Sequence, residues 1–348
     1  MKSIQQPILG ILSTILVIIF SLIISTTFEL STFGSWITLI IMTMVPVQIV
    51  MTLFMQNSIS PYIDNFAQPL NGLIRTVIMI TFGLIVFVII QLLFEGIGST
   101  PIPFSIMYCI NTVITTFWLV VVFAAWPFRL IPNKLLAGIV LLTSAMIISY
   151  LLFTFMYNFN DFVPAPFYNE LLDPKGLFSA WNILSFVVTT LAVILAWVLL
   201  DFFPIGANLK NPILRILAVG IPVLLITYLF WKIGINYIGD PVKFMVNITI
   251  CLIFGEFIVL LMMETAPVQT LKQPIKGIVL ILLAIVLAVV CNYIYTQVIT
   301  SIYPQITSGA PSYDIEMWKA SAMLAITFPT FVLFGQIFNF WPLRNNSK

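Results

Sequence analysis

Histidine is absent from the chain, and charged side chains make up only 7% of it. Without imidazole there is no haem held by histidine, no zinc or copper site built on imidazole, no Ser-His-Asp triad and no imidazole proton shuttle. The three cysteines, Cys109, Cys251 and Cys291, lie far apart inside apolar stretches and form no Cys-x-x-Cys pair. They read as small buried hydrophobes, not as ligands of a zinc ribbon or an iron–sulfur cluster. No metal or other cofactor is expected. The 14 Lys and Arg nearly cancel the 12 Asp and Glu, and no basic stripe exists to grip phosphates, so nucleic acid is excluded as a partner. The chain also lacks a Walker A loop, a His-Glu-x-x-His zinc motif, a Gly-x-Ser-x-Gly elbow and a Gly-x-Gly-x-x-Gly fingerprint. An enzyme is therefore the weaker reading.

What is present is apolar. Hydrophobic residues make up 61% of the 348, and the mean hydropathy is +1.13. Soluble proteins carry roughly 25% charged residues, and a soluble domain this apolar has too few polar groups to cover its surface. Ten runs are long enough to cross a bilayer as helices: 8–27, 35–56, 70–94, 104–126, 135–157, 179–202, 212–231, 242–265, 275–299 and 317–341. Stretches such as Ile11–Ile24 and Ile278–Val290 do not alternate, which excludes the strands of a closed barrel. The first run is long for a signal-peptide core, and Ser25-Thr26-Thr27-Phe28 lacks a cleavage signature, so it is read as a mature helix. Short connections leave no room for a soluble domain. The whole of 1–348 is thus expected to be one transmembrane domain of an all-α integral membrane protein, surrounded by lipid.

Charge sets the orientation. With the N-terminus inside, the inner segments hold Lys2, Arg75, Arg129, Lys134, Lys210, Arg215, Lys272, Lys276, Arg344 and Lys348, against Lys175, Lys232, Lys243 and Lys319 outside. The positive-inside rule then puts both termini in the cytoplasm of a cell with this protein in its plasma membrane. Eight acids fall outside: Glu29, Glu95, Asp161, Glu170, Asp173, Asp240, Asp314 and Glu316.

The odd-numbered runs share an opening: Gln6-Pro7-Ile8-Leu9-Gly10, Gln68-Pro69-Leu70-Asn71-Gly72 and Gln273-Pro274-Ile275-Lys276-Gly277, with looser relatives at Asn211-Pro212 and Pro132-Asn133. Chance would give Gln-Pro-x-x-Gly roughly 0.03 times. The even-numbered runs share an ending: Trp126-Pro127-Phe128-Arg129 and Trp341-Pro342-Leu343-Arg344, with Phe203-Pro204 and Ala266-Pro267 as weaker forms. The unit is a two-helix hairpin, used five times in parallel at approximately 6–56, 68–128, 132–205, 211–267 and 273–343. The opening proline costs no helical N–H, the glycine lets a second backbone come close, and Trp or Arg at the ending anchors it among headgroups.

Polar groups at membrane depth are the candidates for function. Glu256 lies in the middle of the eighth run, where a carboxylate must be neutral, paired or facing water. Asn111 and Thr115 in the fourth run, and Asn182, Ser185 and Thr189 in the sixth, form stripes at helical spacing, and Asn247 lies in the eighth run. Such stripes line paths or glue helices. Pro222 and Pro329 fall within runs and are expected to kink them. The outer connections 158–178 and 300–316, rich in proline and acid, read as tethers or a vestibule.

These features fit a channel or secondary transporter for a small solute or ion, with Glu256 as the candidate for coupling to protons. Ten helices in five hairpins is an arithmetic similar to that of the tellurite-resistance/dicarboxylate transporter and plant slow-anion-channel family. That resemblance rests on helix count and hairpin grouping and assigns no pore residue or substrate. The alternative is a cofactor-free membrane-anchor subunit of a larger respiratory or quinone-linked complex, with partner subunits, resembling in helix count the polysulfide-reductase membrane-subunit type.

Overall fold

The computed structural model describes residues 4–59, 61–163, 165, 168–205, 209 and 211–344. Lys2, Lys210 and Lys348 of the charge count, and Pro164 and Pro166 of the 158–178 connection, lie outside the described residues. Ten helices are long and apolar enough to span a membrane: α1 (Ile8–Thr27), α2 (Leu30–Phe54), α3 (Leu70–Phe94), α4 (Pro103–Val122), α5 (Lys134–Met156), α6 (Ala180–Leu199), α7 (Pro212–Ile238), α8 (Pro241–Met262), α9 (Ile275–Ile302) and α10 (Asp314–Ile337). The protein is an all-α, multi-pass membrane protein. Among the described residues the strands amount to one parallel pair, Tyr157–Asn158 with Phe178–Ser179. α7 continues through Pro222 and runs well past Trp231, and α10 begins earlier than its hydropathy, because the charged turn Asp314–Lys319 is helical.

The helices form two layers. In an 18-residue stretch of each odd-numbered helix 22–39% of the residues are buried, against 61–78% in the even-numbered ones. The even helices pack side by side in a closed ring: α2 on α4, α4 on α6, α6 on α8, α8 on α10, and α10 back on α2. Outside it, α3 covers α2, α5 covers α4, α7 covers α6, α9 covers α8 and α1 covers α10. The outer faces carry exposed Leu, Ile, Val and Phe, as a lipid-facing surface requires.

The five ring helices end alike. α2, α4, α8 and α10 finish in π-helical turns at Val50–Phe54, Trp118–Val122, Ile258–Met262 and Val332–Ile337. All five then pass through two adjacent residues of positive φ: Gln56 and Asn57, Ala124 and Ala125, Asp201 and Phe202, Glu264 and Thr265, Asn339 and Phe340. Wide-loop bonds close these turns, such as Met263 N–H to Ile258 O (2.9 Å) and Thr265 N–H to Val259 O (3.1 Å). They satisfy carbonyls that a helix end otherwise leaves without donors.

The Gln-Pro-x-x-Gly openings dock onto these endings. Gln6 Nε2 donates to Met262 O at 2.9 Å, Gln68 Nε2 to Ile337 O at 2.8 Å and Gln273 Nε2 to Leu199 O at 3.0 Å. Each acceptor is the last residue of α8, α10 or α6. The same glutamine's Oε1 accepts from the N–H of Gly10, Gly72 or Gly277 at 3.0–3.1 Å, capping the helix it opens. A Cβ on Gly10 would stand 2.5 Å from Met262 O, and one on Gly277 2.6 Å from Leu200 Cδ2, so a side chain there would force the outer helix off its ring partner. Asn133 and Asn211 cap α5 and α7 with their own side chains. The end of the bundle where these contacts cluster is called the Gln-Pro end below.

Candidate functional site

Two cavities lie on the axis of the ring, because residues of all five ring helices line each of them. The inner one, about 30 Å³, is bounded by Met42, Val45, Ile110, Val113, Leu191 and Leu324 among others, and has room for about one water but no polar side chain to hold it. The outer one, about 530 Å³, sits at the Gln-Pro end. Phe117, Phe257 and Phe328 line both and form the wall between them. The Phe257 and Phe328 rings stack at 4.2 Å between centroids, and Phe117 stands 6.1 Å from Phe257. Aromatic faces held this way fill the ring centre at van der Waals contact.

The larger cavity is polar only towards its mouth. Thr52 and Gln336 line its wall, and Arg129 and Arg215 belong to its lining, Arg215 with its guanidinium 5.4 Å from the centre of the Phe202 ring. No Asp or Glu is among the lining residues. At the same end Arg344 holds Glu264 through two bonds (2.6 and 3.0 Å), and Arg75 meets Asp64 at 3.0 Å.

Glu256 precedes Phe257 and is fully buried; neither carboxyl oxygen has a hydrogen-bond partner among the described residues. An ionised carboxylate there has nothing in the protein to replace its hydration. Counted back from the positive-φ pairs, Gln48 of α2 and Thr116 of α4 hold the same place as Glu256. Gln48 is equally buried, donates to Pro329 O at 3.2 Å and leaves its own Oε1 unpaired.

The remaining candidate residues scatter. Asn111, Thr115 and Asn182 line a third cavity of about 580 Å³ between α4, α5, α6 and α7, on the outside of the ring. Asn111 also donates to Ser149 O of α5 at 3.0 Å. Ser185 accepts from Trp231 Nε1 of α7 at 2.7 Å; Thr189 bonds back to Ser185 O and lies 3.4 Å from Thr249 of α8. Those two serve helix contacts. Asn247 accepts from Lys319 at 2.7 Å, and Asn292 of α9 accepts from the same ammonium.

Lys319 corrects the charge count: it is buried in the bundle with amide partners, not placed in an outer segment. The signal available for it was the helical reading of Asp314–Ala320, which puts Lys319 more than a turn inside α10. Sequence reasoning also passed over the three phenylalanines, which hydropathy cannot tell from the other 27 of the chain's 30.

At the far end described residues of the 158–178 connection are tied to one another. Asp173 accepts from Phe159 N–H (3.2 Å), Lys175 N–H (2.9 Å) and Tyr168 O–H (3.0 Å), and organises the 158–178 connection. Tyr313 donates to Asp240 Oδ2 at 3.0 Å, and Asp240 caps α8; burial and that carboxylate push the Tyr313 hydroxyl up to about 12. Glu95, just beyond α3, is held above the usual carboxylate range by burial, although Ser105, Ile102 N–H and Gln91 oppose the shift.

Among the described residues no cluster of His, Cys, Asp or Glu is placed to hold a metal ion. No known protein family, no curated protein and no solved structure matches the chain.

Proposed function

We propose that the protein is a membrane transport protein, a channel or secondary transporter for a small solute or ion, and that the solute moves along the axis of the even-helix ring. The observation that carries this reading is the cavity of about 530 Å³ on that axis, closed by Phe117, Phe257 and Phe328. An aromatic constriction between a polar mouth and a dry core is the arrangement of a hydrophobic gate. Arg129 and Arg215 at the mouth, with no carboxylate among the lining residues, favour a small anion.

The recurring docking of glutamine openings on positive-φ endings supports a build of five parallel two-helix hairpins around one axis. The cation excess at the Gln-Pro end supports both termini in the cytoplasm and a place in the plasma membrane; with Lys319 withdrawn into the bundle, the far end carries fewer free cations than the sequence count gave it. Glu256, next to Phe257 and without a hydrogen-bond partner among the described residues, is the residue through which protons would couple to opening. The alternative, a membrane-anchor subunit of a larger complex, draws on the cavity outside the ring between α4, α5, α6 and α7 and would be favoured by a stoichiometric partner surviving gentle purification.

The test is chloride flux in proteoliposomes. Phe257→Ala should raise the flux at least about tenfold over the unmodified protein, by removing most of an aromatic plug. Equal flux in both, at the level of empty vesicles, would remove the axial route. Glu256→Gln should abolish the pH dependence of whatever flux remains; an unchanged pH profile would remove the coupling role.

A further inference from the structure

The third cavity has features that neither helix packing nor an axial path explains. It lies outside the ring in the groove between α4 and α6, and it opens between α5 and α7, where Leu152, Leu224 and Tyr228 of its lining are exposed on the lipid-facing surface. At about 580 Å³ it is within the usual range for a small-molecule site. Its walls are aromatic, and two of them are fixed: Trp118 Nε1 donates to Thr190 Oγ1 at 3.1 Å and Trp231 Nε1 to Ser185 Oγ at 2.7 Å.

Besides Thr190, which is bonded to Trp118, and Tyr228 at the lipid-facing opening, three polar side chains line this largely apolar cleft with bonding capacity unused among the described residues. Asn111 is 1% exposed; its amide nitrogen is spent on Ser149 O, which leaves the carbonyl oxygen as a vacant acceptor. Thr115 is 6% exposed and makes no side-chain hydrogen bond among the described residues, unlike Thr112 and Thr116 beside it, which bond back to their own helix. Asn182 makes none either among the described residues. Asn111 lies near the midpoint of α4, at a depth where lipid offers no hydrogen bond and each unmade bond is costly. A lipid acyl chain would fill the apolar volume and leave all three groups unmet.

The geometry points to a binding site for a lipid-soluble quinone or its quinol, entered sideways from the bilayer. The flat ring lies between aromatic walls. Its carbonyls accept from the Thr115 hydroxyl and the Asn182 amide, a quinol hydroxyl donates to Asn111 Oδ1, and the apolar tail leaves between α5 and α7. Binding alone is assigned, with no electron transfer. The site stands independently of the axial route.

The experiment uses the full chain in lipid nanodiscs and a radiolabelled azido-benzoquinone with a decyl tail. The label is expected on peptides of α4, α6 and α7. Unlabelled decyl-benzoquinone should displace it at least about tenfold better than decylbenzene, which has ring and tail but no carbonyls. Thr115→Val with Asn182→Leu should weaken labelling about tenfold without lowering the melting temperature. Should that pair fail to fold, Ile148→Trp, on the wall near the cleft mouth, should block labelling alone. Equal displacement by both competitors would make the cleft a plain lipid groove. Label outside these helices, or full labelling of a folded double variant, would equally overturn the site.

Discussion

Lys319 and Glu256 are both buried in the bundle, one with two amide partners and the other with none among the described residues. Removing the ammonium strands Asn247 and Asn292, whereas removing all three polar groups strands nothing. Lys319→Met should therefore lower stability by about 2 kcal/mol, and adding Asn247→Leu and Asn292→Leu should recover part of it, read as melting temperature in detergent. Glu95 offers a pH-dependent case. Burial raises its folded pKa above the unfolded value, so its ionisation costs stability as pH rises beyond the ordinary carboxylate range. Glu95→Gln should melt higher than the unmodified protein near neutral pH and match it in acid; a constant difference across pH would refute this. Glu256 was legible in the sequence, because a lone acid in an apolar run is conspicuous. The partners of Lys319 were not, since three helices distant in sequence bring them together.

At the scale of the element, the outer helices hold to the ring by one device used three times: glutamine caps its own helix and bonds the last carbonyl of a ring helix, and glycine lets the backbones meet. Gly277→Val should destabilise the protein strongly, because its side chain would meet Leu200. Gly34→Ala should be nearly silent, since a Cβ there meets nothing within 4 Å. Comparable melting of the two variants would contradict the docking account. The Gln-Pro-x-x-Gly pattern was plain in the sequence and its role as a helix start followed from proline. The partner of each opening was not, because each glutamine bonds a ring helix distant in sequence. The amide and hydroxyl stripes show a related limit: helical spacing places Asn111 and Thr115 on one face of α4 but cannot say whether that face meets the axis or the cleft outside the ring.

For the whole molecule, the low charge content and ten apolar runs determined a multi-pass helical protein before any coordinates. The division into a buried ring and an exposed outer layer needed the structure, since mean hydropathy does not separate the ring helices α6 and α8 (2.3 and 2.4) from the outer helices α5 and α7 (2.3 each). The proposed route depends on the phenylalanines being the only barrier between the cavity at the Gln-Pro end and the core of the ring. Cysteine accessibility in sealed vesicles tests that most directly, with a membrane-impermeant thiol reagent applied at the Gln-Pro end. Gln336→Cys, on the cavity wall, should be labelled whether or not Phe257 is present. Val113→Cys, beyond the phenylalanines, should be protected in the parent and labelled in the Phe257→Ala background. Protection of Gln336→Cys, or labelling of Val113→Cys that ignores Phe257, would contradict an axial path gated at that residue.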